Sequence, residues 1–110
     1  MSDRKTIYIS GAITNDPDYM NHFTKAETDI YFEVAKGNMD FTSVINPAKV
    51  NANLPLDFSH DDYMHVCFAM LDVCQAIYML KGWENSKGAQ MEYIYAKNLG
   101  LEIYYEKSSD

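Results

Sequence analysis

A chain of 110 residues and 12.6 kDa is the size of one domain, and 47% hydrophobic with 23% charged residues is globular usage that argues against disorder. Nine Lys and Arg against sixteen Asp and Glu leave a net charge of −7, which argues against binding a nucleic-acid polymer or an anionic membrane surface, since both are polyanions. No apolar run approaches the roughly 20 residues of a membrane span, and the opening MSDRKTIYISG lacks the apolar stretch of a secretory signal, so a soluble, cytoplasmic protein is expected.

The ends, Met1–Lys5 and Lys107–Asp110, read as loose. Between them Thr6–Ser10 (TIYIS) is a short β-rich run that predicts a buried strand ending at Gly11. Asn15-Asp16-Pro17-Asp18 is a turn, with Asp16 or Asp18 as the cap of the next helix. Tyr19, Phe23, Ala26, Ile30 and Val34 form that helix's apolar stripe, and Gly37-Asn38 stops it. Ser43–Asn46 (SVIN) predicts a second strand, and Ala48–Ser59 reads as loop. Asp61 or Asp62 is expected to cap a helix with Met64, Cys67, Leu71 and Cys74 on its inner face. Ala76–Leu80 (AIYML) is a continuous apolar run, the mark of a strand covered on both faces. Gly82–Lys87 is a polar loop, Gly88–Leu99 a helix that Gly100 ends, and Leu101–Tyr105 the last strand.

The alternation β-α-β-α-β-α-β predicts a single α/β domain over residues 1–110. Its frame is a small doubly wound, flavodoxin- or Rossmann-like, parallel sheet of four strands in the order 2-1-3-4, with helices on both faces. Ligands of such sheets bind at the carboxyl ends of the strands. The loops beginning at Gly11-Ala12 and running from Lys81 to Gly88 fall there.

The segment Trp83–Glu92 (WENSKGAQME) carries the most chemistry. Ser86 is a natural N-cap, and Gly88 and Ala89 leave the first-turn amides approachable, a cradle for phosphate or a sugar hydroxyl. Glu92 falls on the helix face that should be buried, between Ala96 and Leu99 and near Ala89, where an unpaired carboxylate is unusual. Beside an anion cradle it suits a nucleophile at a sugar carbon; the alternative is a rim Glu paired with a Lys. Tyr8 is either a core tyrosine or the group that orients Glu92. Gly11 permits close approach of a ligand to the backbone. Trp83 either stacks on a base or plugs its loop. Cys67 and Cys74, seven apart, predict two reduced thiols. His60, His65 and Cys67 match no zinc spacing, so no metal is expected.

YISGAI, VINPA, CQAIYML and W-x-x-S-x-G-A-x-x-E followed by AKNLG together resemble the nucleoside 2-deoxyribosyltransferase-like superfamily, and more narrowly its DUF4406 group, common in phages and prophages. The resemblance spans about Lys5 to Tyr105. It implies an N-glycosidic transferase or hydrolase of deoxynucleosides or their 5′-monophosphates, with no organic cofactor or metal. Glu92 would be the nucleophile, Tyr8 the first-strand tyrosine, Gly11 the glycine after it, and Ser86 the phosphate-binding serine. The same resemblance implies sites completed across subunits, in line with the homo-oligomer that nine Tyr, five Phe and seven Met lead one to expect. Cys67 and Gln75 stand where such relatives usually carry acids, and that departure favours the alternative of a non-catalytic nucleotide binder.

Overall fold

A computed structural model describes residues 5–107. Residues 1–4 and 108–110, most of the expected loose ends, lie outside the described residues. Lys5 itself is tied down: its backbone amide donates to Thr42 Oγ1 at 3.3 Å, and its ammonium pairs with Asp40.

Four strands make one parallel sheet: β1 (Thr6–Ser10), β2 (Ser43–Ile45), β3 (Ala76–Met79) and β4 (Glu102–Tyr105), in the order β2-β1-β3-β4. The central pair, β1 and β3, is buried along its whole length, which is why both read as continuous apolar runs rather than alternating ones. The pleat still sorts their side chains. Ile7, Ile9, Ala76 and Tyr78 pack under α1 (Tyr19–Ala35) with Phe23, Ala26 and Ile30. Tyr8, Ile77 and Met79 face the other way, toward α3 (His60–Asp72) and α4 (Lys87–Leu99), with Cys67, Leu71 and Ala96. The doubly wound frame and strand order are those expected from the sequence.

Three local expectations give way, and a fourth, the cap of α1, holds in position only. The expected loop from Ala48 begins instead with the tail of a helix, α2 (Pro47–Asn51). Asn46 accepts a hydrogen bond from the Ala48 amide at 3.1 Å, and Pro47 occupies the first helical position; five residues are too few for a periodic stripe. The cap of α3 is Ser59, not Asp61 or Asp62. Ser59 Oγ accepts from the Asp62 amide at 3.1 Å while Asp62 Oδ2 accepts from the Ser59 amide at 2.9 Å, a reciprocal capping box. Asp18 holds the cap position of α1 without a side-chain bond to the helix backbone, and Asp16 Oδ1 instead accepts from the Asp18 amide at 2.9 Å. Leu99, expected on the inner face of α4, lies exposed at the helix end.

Candidate functional site

Loops and helix starts at the carboxyl edge of the sheet enclose a cleft of about 290 Å³. Its walls come from the β1–α1 connection (Gly11, Ile13, Thr14), from α1 (Tyr19, Phe23), from α2 (Pro47, Asn51), from α3 (His60, Tyr63, Met64, Cys67) and from the start of α4 (Ser86, Gly88, Ala89, Glu92). The volume is at the small end for small-molecule sites, enough for a ligand of nucleoside size.

Glu92 stands at the centre. It is 6% exposed, on the buried face of α4 with Ala89 and Ala96. Tyr8 Oη donates to its Oε2 at 2.7 Å and Ser10 Oγ donates to its Oε1 at 2.6 Å. The Cys67 thiol is a third hydrogen-bond partner. Burial pushes the Glu92 carboxyl above the ordinary range, against the pull of the bonds from Ser10, Tyr8 and Cys67. Burial, and then the charge of Glu92, push Cys67 up to about 12 and raise the Tyr8 phenol as well. The sequence alternatives for Tyr8 therefore merge: it is a fully buried tyrosine whose hydroxyl holds Glu92.

The start of α4 forms the second feature. Ser86 caps the helix, its Oγ accepting from the Ala89 amide at 3.2 Å. The Ala89 amide is therefore already taken, and the open donors of the first turn are the amides of Lys87 and Gly88, which precede the helix's own ladder, together with the Ser86 hydroxyl proton. Gly88 lies beside α3: a Cβ there would sit 3.5 Å from Met64 Sδ and 3.7 Å from His60 Cε1, ordinary contact distances.

Other sequence candidates move. Gly11 lines the cleft, yet its lack of a side chain serves packing. A Cβ there would fall 2.8 Å from Leu80 Cδ1, so the glycine lets β1 pass Leu80 rather than clearing room for a ligand. Ala12 lies on a separate hollow with Lys81 and Glu106, not on the cleft. Trp83 stacks on Tyr93 with ring centroids 4.6 Å apart and packs at the edge of the core, so of its two readings the plug describes its position. His60 and Cys67 share the cleft while His65 is exposed, and no three metal-capable side chains converge among the described residues. Both cysteines are buried and unbridged.

Sequence reasoning passed over Ser10 and Asn51. Ser10 follows Tyr8 by two residues on a strand, so the pleat places both hydroxyls on one face; that spacing was the available signal. Asn51 arrives on the unforeseen α2. Its side chain reaches the Cys67 thiol, and its Oδ1 is buried with no hydrogen-bond partner among the described residues.

The sequence profile of a family described as "Domain of unknown function (DUF4406)" matches residues 5–105. No curated protein matches the chain.

Proposed function

The chain belongs to the DUF4406 family, and we propose that it cleaves or transfers the N-glycosidic bond of a deoxynucleoside or deoxynucleoside 5′-monophosphate. The observation that carries this reading is Glu92, a buried carboxylate steadied by two hydroxyls, on the wall of a nucleoside-sized cleft beside an open helix start. The likeness of its motifs to the nucleoside 2-deoxyribosyltransferase-like superfamily supports it. Glu92 attacks C1′ and the base departs; water or a second base then resolves the glycosyl ester, through oxocarbenium-like transition states. Tyr8 and Ser10 fix the carboxylate, and Ser86 with the amides of Lys87 and Gly88 receives a 5′-phosphate. Buried reduced thiols suit a reducing, cytoplasmic setting.

The test is base release, read by chromatography over a panel of deoxynucleosides and monophosphates. Wild type is expected to release base, and Glu92→Gln to release none while still binding. Glutamine keeps the size of the side chain but is a poor nucleophile and puts no negative charge beside C1′.

A second reading, a nucleotide-binding protein without turnover, draws on the shortage of acids: among the described cleft residues Glu92 is the sole carboxylate. A ligand-induced rise in melting temperature with no base release under any condition would favour it.

A further inference from the structure

The groups in hydrogen-bond contact with Glu92 are two hydroxyls and a thiol, those of Tyr8, Ser10 and Cys67. None of them surrenders a proton readily near neutral pH, and Cys67 stands at about 12. His60 is exposed, against the first turn of α4. It precedes Cys67 by seven residues, two helical turns or about 10 Å along α3. A neutral base leaves a sugar readily only when an acid protonates it in the transition state, a contribution of roughly 100- to 10,000-fold. A base that already carries a positive charge needs no proton. A second observation points the same way. Tyr19 and Tyr63, both partly exposed, line this cleft, and aromatic rings attract a cationic ligand.

Resting on the glycosidic reading above, we propose that the substrates of this cleft are nucleosides or nucleotides with a cationic base, a pyridinium or an N7-alkylated purinium joined to C1′. The C1′–N bond breaks, its electron pair neutralises the ring nitrogen, and a Glu92 oxygen bonds to C1′. Water then adds to C1′ as the ester bond breaks with its pair on the Glu92 oxygen, and the water's extra proton passes to solvent. The products are a neutral heterocycle and a sugar with a hydroxyl at C1′; nothing is oxidised or reduced.

The experiment incubates the full chain with nicotinamide mononucleotide and with the 5′-monophosphates of N7-methylguanosine and N7-methyl-2′-deoxyguanosine. Guanosine and 2′-deoxyguanosine 5′-monophosphates are the neutral counterparts. Free base is measured by chromatography and the rate without protein is subtracted. Wild type is expected to release a cationic base at least about 100-fold faster than guanine, the loss that a missing general acid implies, and Glu92→Gln to release neither. Cys67→Asp, which sets a carboxyl beside Glu92, is expected to gain guanine release. Comparable release of guanine by wild type overturns the cationic-base proposal and leaves the glycosidic reading standing. Guanine release that His60→Ala abolishes likewise overturns it, by making His60 the acid. Release from none of these substrates overturns the cationic-base proposal, and silence across the full deoxynucleoside and monophosphate panel as well overturns the glycosidic reading.

Discussion

Glu92 sits where burial makes its charge costly, yet the proposed chemistry needs the carboxylate. Burial raises its pKa, and the bonds from Ser10, Tyr8 and Cys67 recover only part of the cost of the charge. The consequence for stability has a definite sign. Between the ordinary glutamate value and the raised one, the folded protein holds a proton that the unfolded chain has released. Stability is therefore full below the ordinary value, falls as pH rises through that window, and levels off above the raised value. Glu92→Gln removes the titration. Urea midpoints measured from about pH 4 upward should show the wild type losing stability relative to the variant as pH rises. A constant difference across that range would mean that Glu92 has no raised pKa. In activity, the same shift moves the acid limb of base release above the pH expected of an exposed glutamate, because only the ionised carboxylate attacks C1′.

At the level of elements, the legible parts were those whose signal lies in a contiguous run. TIYIS and AIYML declare themselves because the central strands are covered on both faces. The start of α4 was legible because Ser86 and Gly100 are strong caps at the two ends of one helix; Gly100 takes the left-handed backbone at φ 79°. The rest needed the third dimension. Helix α2 is too short to show a period, and Trp83 finds its stacking partner Tyr93 only once α4 has folded back beside it. The missed capping box of α3 was present as Ser59-x-x-Asp62, but the adjacent Asp61 and Asp62 drew the cap two or three residues too far. Ser86 joins both kinds of argument, being the cap of α4 and, in the proposed function, a phosphate-binding group. Ser86→Ala should cost about 1 kcal/mol through the orphaned Ala89 amide. It should also weaken binding of a deoxynucleoside 5′-monophosphate more than that of the matching nucleoside. Calorimetry on both ligands checks this, and equal losses would place the phosphate elsewhere.

The whole molecule leaves apolar surface that a four-stranded sheet with its helices does not cover. Ile94 is 58% exposed and Met91 36%, three residues apart on the outer side of α4, opposite the face that carries Ala89, Glu92 and Ala96. On the far side of the sheet Phe32 is 61% exposed on α1. The net charge of −7 opposes self-association at long range, but at physiological ionic strength that repulsion fades over about 8 Å, while apolar contact acts at the touching surfaces. A symmetric dimer needs one self-complementary patch of about 800 Å² on each copy. The α4 face is the candidate because it backs directly on the cleft, so a second copy there would stiffen the helix that carries Ser86 and Glu92. The expected result is a mass about twice that of the chain by light scattering at micromolar concentration, with association tightening as salt is added. Ile94→Glu should yield monomers, because it sets two carboxylates against each other near the two-fold axis. Phe32→Glu should leave the dimer intact. A monomeric wild type would rule the assembly out, and a dimer lost in Phe32→Glu but kept in Ile94→Glu would move the interface to α1.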